Sequence, residues 1–135
     1  GGAWWRKLLT HVSDVMRSGH AVPRVDPDAT FNELMKQISA KSVGATAIVS
    51  PTNHVLGIFT DGDLRRLIEK GFDLRQVSAK EVMHTSPRTI RVNELAAMAA
   101  EMMETHSITS ILVLDTDDKL CGIVHISDLM RAKVI

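Results

Sequence analysis

Apolar residues keep two rhythms that alternate along this chain. Phe31, Leu34, Met35 and Ile38 fall at i, i+3, i+4 and i+7, the stripe of a helix with one buried face. Thr30 and Glu33 ahead of the stripe form a capping-box pattern, in which the hydroxyl accepts from the third helical amide and the carboxylate reaches back to the threonine amide. Leu95, Met98, Ala99 and Met102 repeat the spacing farther on, with Asn93 as the predicted cap. Methionines at this spacing read as core packing. Each helix is followed by a β-branched run, residues 46–49 and 111–114. Then come a polar turn, Ser50-Pro51-Thr52-Asn53 or Asp115-Thr116-Asp117-Asp118, and a second strand, Val55–Thr60 or Leu120–His125. Those strands run into helices beginning at Asp61 and Ile126, and Gly71 is placed to cap the first of them.

The alternation is a duplication. Val55-Leu56-Gly57-Ile58-Phe59-Thr60-Asp61-Gly62-Asp63-Leu64-Arg65-Arg66 matches Leu120-Cys121-Gly122-Ile123-Val124-His125-Ile126-Ser127-Asp128-Leu129-Met130-Arg131, which sets Gly57 and Gly122 65 positions apart by their numbers. Ser42-Val43-Gly44-Ala45 lies over Ser107-Ile108-Thr109-Ser110 at the same offset, and Asp14-Val15-Met16 over Glu81-Val82-Met83 after a small shift. A unit of helix, strand, strand and helix exposes one apolar sheet face, so two such units must pack together. The expected organisation is a first unit at 12–71 and a second at 72–135, in the α/β (α+β) class.

The strand-to-helix corners carry the candidate chemistry. Thr60-Asp61-Gly62-Asp63 and His125-Ile126-Ser127-Asp128 both read polar-x-x-Asp. A helix N-terminus offers unpaired amides and partial positive charge to a phosphate. An Asp in the first turn can accept from two vicinal ribose hydroxyls, while the Thr hydroxyl or His ring reaches a phosphate or ribose oxygen. The competing reading is that Asp63 and Asp128 only complement the helix dipole. Arg65, Arg66 and Arg131 follow within one helical turn, and Arg24 and Arg88 each stand in a Pro-Arg pair; they either face a bound anion or form solvated surface. Thr46, at the start of the first β-branched run, and Ser110, directly before the second, complete the candidate ligand-binding set.

Composition narrows the classes. The 135 residues are 44% hydrophobic and 24% charged with a formal net charge of zero, and no basic field marks a nucleic-acid surface. The longest apolar runs are far short of the roughly 20 residues that span a bilayer. The single cysteine, Cys121, has no internal disulfide partner, which suits a reducing cytoplasm. A catalyst built on His84, His106 or His125 is disfavoured. Cys121 and His125 lie four residues apart on a strand, about 13 Å, too far to share a zinc ion. Gly57-x-x-x-x-Gly62 has P-loop glycine spacing, but Asp63-Leu64 stands where Lys-Ser/Thr is needed. No catalytic residue, metal ligand or required cofactor is predicted.

A strand ending Gly-h-h-Thr/His-x-x-Asp-Leu, present twice and preceded by a Val-Met helix, resembles a tandem pair of CBS (cystathionine-β-synthase-type) modules over residues 12–135. The resemblance implies two β-α-β-β-α units with pseudo-two-fold symmetry, clefts for adenosine-type or other nucleotides, homodimerisation, and regulation of an attached protein. Gly1-Gly2-Ala3, Arg6-Lys7-Leu8-Leu9, Asp14-Val15-Met16 and the run from Gly57 to Arg66 further resemble the C-terminal portion of bacterial D-arabinose 5-phosphate isomerases. Trp4 and Trp5 depart from that pattern. By this resemblance residues 1–11 are a linker stub from an N-terminal sugar-isomerase domain that would hold the catalytic residues, in a cytoplasmic parent enzyme that could be tetrameric. The implied ligand is CMP-3-deoxy-D-manno-octulosonate, the nucleotide form of the end-product sugar. An adenine nucleotide and a purely structural dimerisation module are the alternatives.

Overall fold

The computed structural model describes Trp5 and residues 8–135. The elements are α1 (Val12–Val15), β1 (Arg24–Val25), α2 (Phe31–Lys41), β2 (Ala45–Val49), β3 (Val55–Thr60), α3 (Asp61–Glu69), α4 (Ala79–Val82), β4 (His84–Thr85), β5 (Thr89–Arg91), α5 (Ala96–His106), β6 (Ser110–Leu114), β7 (Leu120–His125) and α6 (Ile126–Arg131). The architecture is the expected mixed α/β class. Residues 1–4, 6 and 7 of the expected linker stub lie outside the described residues.

The described residues divide into two compact bodies, one made of His20–Pro87 and the other of the segment through Gly19 joined to Arg88–Ile135. The division in space thus differs from the repeat boundaries in sequence, because residues 12–19 fold with the second copy. In the His20–Pro87 body the sheet order is β1-β2-β3-β4, with β1 parallel to β2 and the other neighbours antiparallel. Leu34 of α2 packs with Ile48, Phe59, Ala29 and Ala79, and the Phe31 ring stands edge-on to Phe59 at 6.3 Å between centroids. The predicted cap is present: Thr30 Oγ1 accepts from the Glu33 amide and Glu33 from the Thr30 amide. Gly71 follows α3 at φ +75°, and its amide donates to the Ile68 carbonyl, as a glycine stop should.

The other body repeats this plan with β5 parallel to β6 and β6 antiparallel to β7. Its core is Val12, Ile90, Ala96, Ala99, Met103, Ile111, Val113, Val124, Leu129 and Val134. Two expectations need correction here. Helix α5 is capped at Leu95, two residues beyond Asn93, and no side chain caps it. The backbone of the N-terminal segment does that work: the Thr10 carbonyl accepts from the Ala96 amide at 2.8 Å, and the Glu94 carbonyl accepts from the Val12 amide at 2.8 Å. With the helix starting at Ala96, its buried face runs through Ala96, Ala99 and Met103, and Met102 packs beside it. Leu95 and Met98 of the predicted stripe are exposed.

The duplicated glycines are explained by what lies across them. Arg17 and Ile123 exchange backbone hydrogen bonds of 2.9 and 3.0 Å, and His84 pairs with Ile58 at the matching place in the other body. Met16 and Met83, just ahead, lie over Gly122 and Gly57. A Cβ at Gly57 would stand 2.6 Å from Met83 Sδ and 2.8 Å from the His84 carbonyl; at Gly122 the figures are 2.5 Å to Met16 Sδ and 2.9 Å to the Arg17 carbonyl. The methionine can swing aside but the carbonyl is fixed in the sheet. We expect Gly57→Ala and Gly122→Ala each to destabilise the fold by roughly 1–3 kcal/mol in urea unfolding, and an unchanged midpoint would disprove the close approach.

Candidate functional site

At the first corner β3 ends on Thr60, whose extended backbone makes it the N-cap of α3. Thr60 Oγ1 accepts from the Asp63 amide at 3.2 Å, and Asp63 Oδ2 accepts from the Thr60 amide at 2.9 Å. Asp63 Oδ1 receives Arg66 Nη2 at 2.5 Å, the guanidinium exposed and the carboxylate partly buried. Asp61 lies beside this box. Its amide donates to the Gly44 carbonyl, and its carboxylate sits where a Cβ on Gly44 would be. Arg65 is exposed one residue before Arg66. The strand ladder sets Ala45 opposite Thr60, so the start of β2 stands beside the corner.

The second corner has the same backbone and different occupants. His125 caps α6 through its ring: Nδ1 accepts from the Ser127 amide at 3.1 Å, and Asp128 Oδ2 accepts from the His125 amide at 2.9 Å. Ser110, at the start of β6, pairs with His125 across the ladder. Asp128 is buried, and two guanidinium groups converge on it. Arg17 Nε lies 3.1 Å from Oδ2 and Arg17 Nη2 3.1 Å from Oδ1, while Arg131 Nη2 lies 2.6 Å from Oδ1. Burial pushes the Asp128 carboxyl up, but the Arg17 hydrogen bonds, the His125 amide and Arg131 outweigh it and hold the group below its ordinary value. Arg17 carries no local motif. The one clue to it in the sequence is its place directly after Met16, as His84 directly follows Met83.

The remaining candidates disperse. Arg24 lines a cavity of about 610 Å³ with Asp26, Glu33, Lys36, Gln37 and Ser50, beside β1, and donates Nη1 to Asn53 Oδ1 at 2.9 Å. Neither Thr60 nor Asp63 lines that cavity. Arg88 is exposed in the connection between β4 and β5. Thr46 is wholly buried on the face of β2 that carries Ile48, opposite Phe59, and its hydroxyl has no hydrogen-bond partner among the described residues. Ser110 aligns with Ala45 rather than with Thr46, so the two strand-start candidates are not equivalent positions. Among the described residues no cluster of three His, Cys, Asp or Glu side chains is placed to hold a metal ion, and no helix is long and apolar enough to cross a membrane.

Two capped corners, each closing a strand-strand-helix unit, define the class. The CBS domain family matches residues 12–70 and 79–135, and the chain belongs to it. All 135 residues align with arabinose 5-phosphate isomerase KdsD of Yersinia pestis at 42% identity, of Salmonella typhi at 43% and of Escherichia coli K12 at 40%. In each case the chain spans 41% of the relative's length. Among solved structures, CBSX2 in complex with AMP superimposes with a TM-score of 0.77 over 91% of this chain and 95% of that one, at 22% identity. The CBS domain pair of MJ0100 in complex with 5-methylthioadenosine and S-adenosyl-L-methionine gives 0.79 over 90% and 94%, at 20% identity. At these identities the structures establish a shared fold.

Two measurements follow from the corners. Because its folded pKa is depressed, Asp128 contributes stability that is complete above the unfolded carboxylate value of about 3.9. That contribution disappears as the pH falls through the lower folded value. Urea unfolding of the wild type and Asp128→Asn should therefore differ at pH 7 and converge towards pH 2; a gap that does not narrow would contradict the ion pair. Thr46→Val removes an unpartnered buried hydroxyl at constant shape and should stabilise by about 1 kcal/mol; destabilisation would show that the hydroxyl has a partner.

Proposed function

We propose that this chain is the regulatory nucleotide-binding module of a bacterial D-arabinose 5-phosphate isomerase, and that it senses CMP-3-deoxy-D-manno-octulosonate as a feedback ligand. The observation that carries this reading is the alignment of the whole chain, at 40–43% identity, with part of KdsD isomerases more than twice its length. The parent enzyme then holds its catalytic residues in a preceding sugar-isomerase domain, in the cytoplasm, and supplies D-arabinose 5-phosphate to the synthesis of the lipopolysaccharide sugar.

Supporting chemistry comes from the corners. Thr60 and His125 are the caps, Asp63 and Asp128 the carboxylates at equivalent positions, of which Asp63 has acceptor room for ribose hydroxyls, and Arg65, Arg66 and Arg131 the cations suited to phosphate or to the sugar carboxylate. Regulation requires that the ligand favour one arrangement of the paired modules, and the response is bounded by that difference in affinity. The modules pair as a homodimer, which gives the parent a route to a tetramer. A second reading, an adenine-nucleotide sensor, is favoured by the AMP and S-adenosyl-L-methionine complexes of its structural neighbours.

Thermal-shift screening against CMP-3-deoxy-D-manno-octulosonate, CMP, AMP, ATP and S-adenosylmethionine tests both. A ligand present at 100 times its dissociation constant stabilises by about 2.7 kcal/mol, several degrees in Tm. A rise confined to the cytidine compounds is the expected result. A rise confined to the adenine compounds would replace feedback by energy sensing, and no rise would leave a structural dimerisation module.

A further inference from the structure

The two corners look alike in sequence but differ in how much of each carboxylate is left to a ligand. We propose that the chain takes up one nucleotide, at the Thr60–Asp63 corner, and that Arg17 fills the ligand's place at the His125–Asp128 corner. The inference rests on the nucleotide reading above and decides its stoichiometry.

A carboxylate offers about four lone-pair positions. Asp128 meets four donor groups, Arg17 Nε, Arg17 Nη2, Arg131 Nη2 and the His125 amide, and its side chain is 7% exposed. A ribose diol there would have to displace a two-pronged guanidinium from a buried anion, and that guanidinium is already the stronger partner. Among the described residues Asp63 meets two donors, the Thr60 amide and Arg66 Nη2, and its side chain is 19% exposed. Two acceptor positions therefore remain for two hydroxyls. Arg66 itself is 60% exposed and can turn from Asp63 to an incoming phosphate, its place on the carboxylate being taken by the ribose hydroxyls.

The difference has a structural origin. Arg17 is fixed by its backbone pairing to Ile123, two strand positions ahead of the corner. In the other body the residue at that register is His84, paired to Ile58, and it leaves Asp63 to Thr60 and Arg66.

Isothermal titration of the 135-residue chain with CMP-3-deoxy-D-manno-octulosonate, and separately with CMP and with AMP, reads this out through whichever of them binds. The wild type should bind one nucleotide per chain, and Asp63→Asn should weaken binding on the order of tenfold or more. Arg17→Lys keeps a cation on Asp128 where Arg17→Ala would threaten folding, and it should leave the dissociation constant within about twofold. Two sites per chain, tight binding that survives in Asp63→Asn, or a loss on the order of tenfold in Arg17→Lys would overturn the inference while leaving the nucleotide reading intact. Failure of all three compounds to bind the wild type would overturn the two together.

Discussion

A methionine and the carbonyl of the residue after it press against a bare glycine on the last strand of each copy, and much of the remaining structure follows from that contact. At Gly122 any side chain would meet the Arg17 carbonyl at 2.9 Å. The closeness lets Arg17 and Ile123 exchange backbone hydrogen bonds, which brings the N-terminal segment into the body of the second copy. The same segment then supplies the Thr10 carbonyl that caps α5 and the Val12 side chain that enters the core. An ordering cost of about 1–2 kcal/mol per backbone residue is offset there by buried apolar area and satisfied helix-end amides.

The chemistry of the corners inherits this placement. Once the backbone of Arg17 is fixed beside β7, its guanidinium reaches Asp128 and the carboxylate is satisfied from within the chain. His84 holds the corresponding position beside β3, and Asp63 keeps room for a partner. The two copies share the frame of glycine, cap and aspartate and differ in the residue across the strand, Arg17 or His84, on which the proposed difference between the corners rests. On the proposal above, a module with one open corner would respond to its ligand along a simple saturation curve, while the closed corner contributes stability.

Much of this was legible in the sequence. The Thr30/Glu33 capping box, the stop at Gly71 and both strand pairs are local signals, and each sits where its chemistry requires. The polar-x-x-Asp corners were legible as helix starts for the same reason. The start of α5 was not, since its donor is satisfied by a carbonyl more than 80 residues earlier and no cap motif records that. Leu95 and Met98 were misplaced on the buried face for the same cause. Arg17 escaped notice because its partner Asp128 is 111 residues away. Thr46 was read from its position at a strand start, but strand alternation turns its side chain towards Ile48 and Phe59.

Amide hydrogen exchange at Arg17 and Ile123, read residue by residue by NMR, bears most directly on the claim that the N-terminal segment is built into the second copy and carries Arg17 to its corner. The account predicts protection at both amides comparable with Leu112 and Val113 in the centre of the same sheet. Exchange at the rate of an exposed loop would mean that the segment frays from β7, that Asp128 is not held by Arg17, and that the two corners are open alike.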